Sequence, residues 1–191
     1  MPELFLSRYL SGLSELFEHL DREAFGNLVT LLDQTRENQA SIYIFGNGGS
    51  AATASHFVCD LNKGASYGRK KKFNVVCLND NTYVTMAYAN DVSYEEIFVE
   101  QLKNCLKKND LVIGVSGSGN SPNVIKAIEY ANQQAVKTIG ICGFDGGRLK
   151  QTARYSLWVQ SHDMQKVEDI HAILFHCAAQ WFMVREAEDS E

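Results

Sequence analysis

The chain lacks the cysteine spacings of a disulfide framework or a thiolate metal site: its five cysteines, at 59, 77, 105, 142 and 177, are odd in number and contain no CxxC pair. Cys77 and Cys142 fall inside apolar, strand-like runs, so reduced thiols in a reducing cytoplasm are expected, with no nucleophile among them. No apolar run approaches membrane-spanning length, and the N-terminus shows no charged segment followed by an apolar one, so neither a membrane anchor nor secretion is expected. Basic charge is scarce as well. The formal net charge is −5 and the basic cluster from Arg69 to Lys72 is short, which excludes the electrostatic footprint of a nucleic-acid binder. No tandem repeat or low-complexity linker interrupts the chain, although the acidic tail after Arg185 is expected to fray.

What remains is a chain of 191 residues, 45% of them hydrophobic, enough to bury one full core. Apolar runs and helical periodicities alternate along it. SIYIF (from Ser41), FNVVCL (from Phe73), LVIGV (from Leu111), KTIGIC (from Lys137) and YSLWV (from Tyr155) read as strands. Helices are expected from Ala51 to about Asn62, over TYVTMAYA, over EEIFVEQLKNCL, from Pro122 to near Gln134 and from about Gln165 to Arg185. The last of these carries Val167, Ile170, Leu174, Ala178 and Trp181 on its inward stripe. The alternation implies right-handed crossovers and an α/β three-layer sandwich around a parallel sheet of about five strands, with ligands outside the carboxyl ends of the strands. Two helical segments precede the first strand. The stripe of Leu6, Tyr9, Leu10, Leu13, Leu16, Phe17 and Leu20, with the second segment, exceeds what one sheet face needs: either it packs within the chain or part of it meets another subunit, and residues 1–38 are read as an extension used in oligomerisation within a single domain, 1–191.

Three polar features fall at the carboxyl edge. VSGSGNSP, from Val115 to Pro122, turns a strand into a helix, with Ser121 placed to cap it and Pro122 at its first position. Backbone donors at Gly119 and Asn120 and several hydroxyls then meet the positive end of the helix dipole, an arrangement suited to phosphate. GNGGS, from Gly46 to Ser50, is a second such turn. Its Gly46, Gly48 and Ala51 also satisfy GxGxxA, but the acidic residue of a dinucleotide site is missing at the expected distance, because the next strand ends at Asn79 and Asp80, about thirty residues on. FDGGR after Cys142 is a third turn, with Gly146 and Gly147 permitting close backbone approach. His56 and Asp60 share a helix face and can bind a metal together or act as base and acid. EDIHAILFH places Glu168, His171 and His176 on the last helix. Glu168 and His176 are eight residues apart, about 12 Å of ideal helix. Either that helix begins after Glu168, or the two meet different partners, or a ligand lies between them.

FGNGGSAATASHF, the Asn79–Asp80 pair, SGSGNS and the terminal ExxHxxxxH together resemble the sugar isomerase (SIS) domain family, of flavodoxin-like fold, and within it the phosphoheptose isomerases. The resemblance spans nearly the whole chain. It implies an aldose–ketose isomerisation of sedoheptulose 7-phosphate to D-glycero-D-manno-heptose 7-phosphate through an enediol, in a cytoplasmic homotetramer. It implies that Asn47, Gly48, Gly49 and Ser50 approach the sugar, that Asn79 and Asp80 hydrogen-bond it, and that Ser116, Gly117, Ser118, Asn120 and Ser121 hold the phosphate. It further implies zinc on His56, Asp60, Glu168 and His176, with Glu168 also near the substrate, His176 as base and Asp60 as proton relay. Asp60 and Glu168 stand where the family usually has glutamate and glutamine, Gly64 where an arginine is usual, and Gln165 where an acid is usual; these departures bear on which sugar is used. The alternatives are a non-catalytic SIS protein, such as a phosphosugar-binding or replication-initiator regulatory module, and an isomerase of another sugar phosphate.

Overall fold

The computed structural model describes residues 1–188, so the end of the acidic tail, expected to fray, lies outside the described residues. Five strands form one parallel sheet: β1 (Ile42–Gly46), β2 (Val75–Cys77), β3 (Leu111–Ser116), β4 (Lys137–Cys142) and β5 (Tyr155–Trp158), in the order β2-β1-β3-β4-β5. Alternation along each strand sends side chains to two cores. Ile42, Ile44, Leu111, Ile113 and Val115 face one core, whereas Tyr43, Phe45 and Val112 face the other. Each aliphatic side chain fully buried this way contributes about 1.5–3 kcal/mol, which explains why the central strands are apolar on both faces.

The first core is covered by α2 (Arg22–Glu37), α3 (Gly49–Cys59) and α8 (Met164–Glu188), and the second chiefly by α5 (Val99–Cys105), α6 (Pro122–Gln133) and α7 (Gly147–Thr152). Gly114 lets α6 lie close to β3, because a Cβ there would meet Val124 Cγ1 at 2.8 Å. Three elements depart from the sequence reading. FNVVCL contributes only Val75–Cys77 to the sheet, as an edge strand whose Val76 is exposed. EEIFVEQLKNCL is not one helix but a short 3₁₀ turn, Tyr94–Glu96, followed by α5, with Ile97 and Phe98 buried between them. On α8 the inward stripe runs through Phe175, Ala178, Ala179 and Phe182, and Trp181 is left exposed: the contact face of this 25-residue helix has drifted round by one position.

α1 (Pro2–Glu18) covers little of the chain. Leu13 is buried and Tyr9, Leu16 and Phe17 pack partly against the first core, whereas Leu4, Phe5, Leu6 and Leu10 are all more than half exposed. Tyr9 ties this helix to α8, its hydroxyl donating to Asp169 Oδ2 at 2.6 Å. α4 (Thr82–Asp91) completes the helices and buries no residue. Among the described residues no helix is long and apolar enough to cross a membrane.

Candidate active site

The GNGGS turn leaves β1 with its backbone held from both sides. Asn79, at the end of the neighbouring edge strand, accepts from Gly46 N (3.2 Å) and donates to Gly46 O (2.9 Å). Gly46 itself has no room for a side chain, since a Cβ would meet Ser50 Cβ and Val115 O at 2.8 Å. Gly48 then adopts φ +54°, which favours glycine, and α3 begins at Gly49. The next side chain, Asn47, exchanges hydrogen bonds with Asn123. Gly48, Gly49 and Asp80 are exposed along this edge, and Ser50 is buried.

The serine turn leaves β3 beside it. Gly119, at φ +68°, closes the turn with its N–H on Ser116 O (2.9 Å), and Asn120 N–H donates to Ser118 Oγ (3.2 Å). Ser121 occupies the cap position of α6, as expected, but its hydroxyl makes no cap bond and instead lies 2.9 Å from Ser116 Oγ. The capping acceptor is Asn123, whose Oδ1 takes Val124 N–H at 2.9 Å. The FDGGR turn makes the close backbone approach its glycines permit: Gly146 and Gly147, both at positive φ, press against Gly119, while Leu149 N–H donates to Gly119 O (2.9 Å) and Arg148 N–H to Asn120 Oδ1 (3.1 Å). A Cβ on Gly119 would collide with Gly146 O, and one on Gly117 with Met164 Sδ. The close approach that the glycines permit is thus backbone on backbone, and it sets the shape of the serine turn.

α3 and α8 run alongside each other in the same sense. At one end Glu168 lies against Gly49, where a Cβ would come within 2.6 Å of its Oε1; two turns further on, His176 meets His56 and Asp60. α8 begins at Met164, so Glu168 and His176 are on one helix and meet different partners. The carboxylate of Glu168 sits at the positive end of α3. At the other end, Asp60 Oδ1 is 3.6 Å from His56 Nε2 and Asp60 Oδ2 is 3.7 Å from His176 Nε2, with the two rings 4.9 Å apart between centroids. Candidate ligand atoms of these three residues all lie within 4.8 Å of one another; Glu168 is not in this group. The helix widens into a π turn, Asp60–Gly64, beginning at Asp60, a local feature that the sequence does not signal.

The three residues line a cleft of about 190 Å³ with Thr53, Phe57 and Phe175. Its apolar wall is the stacked pair Phe57–Phe175, at 4.3 Å between centroids. The distances between the polar groups exceed hydrogen-bonding reach, so the two imidazoles and one carboxylate converge without satisfying one another. Two nitrogens and an oxygen so arranged are a donor set that a zinc-like cation takes, with room left for water or substrate. His171, also singled out by the sequence, is elsewhere: it is 1% exposed with Nε2 3.2 Å from Cys142 O, and burial lowers its pKa to about 4. Burial likewise raises Cys77 to about 11 and Cys142 to about 12, which suits inert thiols.

Comparison with known proteins identifies the family and the fold. The family model described as SIS domain matches residues 7–143. The chain is similar to the phosphoheptose isomerase of Helicobacter pylori (strain ATCC 700392 / 26695), 41% identical over 178 residues that cover 92% of each chain. Its fold is similar to that of a phosphoheptose isomerase from Neisseria gonorrhoeae, with a TM-score of 0.87 at 24% identity over 95% of this chain and 98% of that one. A phosphoheptose isomerase from Francisella tularensis gives a TM-score of 0.88 at 21% identity with the same coverage.

Proposed function

The chain belongs to the SIS domain family, and we propose that it is a phosphosugar isomerase that interconverts sedoheptulose 7-phosphate and D-glycero-D-manno-heptose 7-phosphate. The observation that carries this reading is the convergence of His56, Asp60 and His176, from two helices far apart in sequence, in one open cleft on the helix that begins at the sugar-side glycine turn.

The serine turn, with Ser116, Gly117, Ser118, Asn120 and Ser121, holds the phosphate chiefly by its hydroxyls, because the Gly119 and Asn120 N–H groups expected to serve are bonded within the turn itself. Binding energy at that non-reacting end orients the carbonyl end. Gly48, Gly49 and Ser50 admit the sugar close to the backbone, with Asn79 and Asp80 at the neighbouring strand end and Glu168 across from Gly49. His176, with its lone pair free, takes the proton from the carbon beside the carbonyl and returns it to the former carbonyl carbon, and Asp60 carries protons between the two oxygens, so the reaction passes through an enediol. His56 and Asp60, with His176 when it is not acting as base, are the residues that would hold a zinc ion, which when bound would supply Lewis-acid stabilisation of the developing oxyanion; Glu168, two turns away on α8, is left to the sugar. The exposed apolar residues of α1, Leu4, Phe5, Leu6 and Leu10, support assembly with further copies as a homotetramer, and the free thiols suit a reducing cytoplasm.

The test is turnover of sedoheptulose 7-phosphate by purified protein, with and without chelator, beside its zinc content. Full activity in His176→Ala would remove the assigned base. Folded, zinc-loaded protein that binds the sugar phosphate without converting it would instead point to a binding module.

A further inference from the structure

Asn47 was expected to hold the sugar, but its side chain is already occupied. Its Nδ2 donates to Asn123 Oδ1 at 3.0 Å, and its Oδ1 accepts from Asn123 Nδ2 at 2.9 Å and from the Tyr94 hydroxyl at 2.9 Å. A primary amide has two donor hydrogens and two acceptor lone pairs, so only one N–H of Asn47 is left over. The pairing is also fixed in sense. Asn123 is 1% exposed, and its Oδ1 accepts Val124 N–H as well, so the amide cannot turn round without losing a backbone bond; its Nδ2 must face Asn47.

The two amides join the two halves of the site. Asn47 follows β1 and Asn123 lies in the first turn of α6, after the serine turn that leaves β3, and those strands are neighbours in register, Gly46 beside Val115. The third member comes from elsewhere: Tyr94 lies on the 3₁₀ turn that Glu96 also pairs to Lys126 of α6. A reciprocal amide pair with a buried half is stronger than its exposed equivalents, and stripping one partner leaves the other unsatisfied.

We propose that the Asn47–Asn123 pair, latched by Tyr94, is a clasp that fixes the distance between the glycine turn and the serine turn, and that Asn123 and Tyr94 are therefore positioning residues for the isomerisation. This rests on the phosphosugar reading above. A substrate held by its phosphate in one turn presents its carbonyl end at a height set by the other; a rigid span between them selects chain length and keeps the reacting carbon in reach of the base.

A double-mutant cycle tests it. Asn47→Ala and Asn123→Ala should each lower kcat/KM for sedoheptulose 7-phosphate by about tenfold or more, mostly in kcat, while the double variant is no worse than about twofold below the poorer single. Inhibition by inorganic phosphate, which needs only the serine turn, should stay within about twofold of wild type in Asn47→Ala. Asn123→Asp, nearly isosteric, sets a carboxylate against Asn47 Oδ1 and should behave like Asn123→Ala even if the alanine variant folds poorly. Multiplying effects in the double variant would make Asn47 a direct substrate ligand and overturn the clasp, as would weakening of inorganic phosphate equal to that of substrate. If the wild-type protein shows no turnover, the isomerase reading falls and the clasp is judged on urea unfolding of the same four proteins without ligand: coupled losses uphold it, additive ones overturn it.

Discussion

His171 should make the protein's stability depend on pH. The ring is 1% exposed, its Nε2 lies 3.2 Å from Cys142 O, and Nδ1 has no hydrogen-bond partner. The neutral tautomer with its proton on Nε2 fits this setting, and charging the ring would force an ion into apolar surroundings. Burial accordingly lowers the pKa from the ordinary 6.5 to about 4, although the Cys142 carbonyl works the other way. Between those values the unfolded chain binds a proton that the folded chain refuses, so stability is full above the unfolded value and falls as the pH drops towards the folded one. The whole gap is worth about 3 kcal/mol, of which about 2 kcal/mol should be lost by about pH 5. Urea unfolding of wild type and His171→Gln, at about pH 7.5, 6 and 5, with fixed protein concentration and chelator present, isolates this contribution. Glutamine keeps a donor for the Cys142 carbonyl but does not titrate. The wild-type curve should converge on that of the variant as the pH falls. Parallel curves would mean that the ring is charged, or becomes solvated, in the folded protein, and the argument from burial would fail.

Gly119→Ala should cost roughly 2 kcal/mol of stability and weaken inorganic phosphate, because positive φ and the Gly146 carbonyl both oppose a Cβ; urea unfolding and phosphate inhibition measure the two effects. His176→Ala should lower kcat by roughly a hundredfold or more with unchanged circular dichroism, and zinc affinity measured by calorimetry should fall with it. Paired Leu6→Asp and Leu10→Asp changes place charges on the exposed stripe of α1 and should reduce the mass measured by light scattering, with little change in monomer stability.

Much of this architecture is legible in the sequence because the central strands are buried on both faces. LVIGV and KTIGIC have no polar face to confuse the reading, and each turns at a glycine or serine where the chain must leave the sheet. The edge is harder to read. Phe73 and Leu78 are apolar because they plug the two cores, not because they pair with β1, so FNVVCL looked longer as a strand than it is. Trp181 fits the helical period as well as Phe182 does; only the packing of α8 on Phe73 and Arg36 decides between them. At the site, the types and spacings of His56, Asp60 and His176 were readable, as was the glycine content of the turns. Unreadable were the long-range amide bonds: nothing near Asn47 in the chain announces Asn123, 76 positions later, or Tyr94. Short-range spacing carries helix faces, whereas pairing across strand ends is a property of the assembled sheet.

The hydrogen bond from Tyr9 to Asp169 bears on how shortened forms of the chain should be interpreted. Asp169 is the immediate neighbour of Glu168, and the Lys166 ammonium lies 5.3 Å over the Tyr9 ring. Removing the first helix would therefore do two things at once: strip an exposed apolar surface and release a carboxylate next to Glu168, which lies against Gly49. An inactive truncation would not separate assembly from local misplacement of α8. Changes confined to Leu6 and Leu10, which leave Tyr9 in place, make that separation.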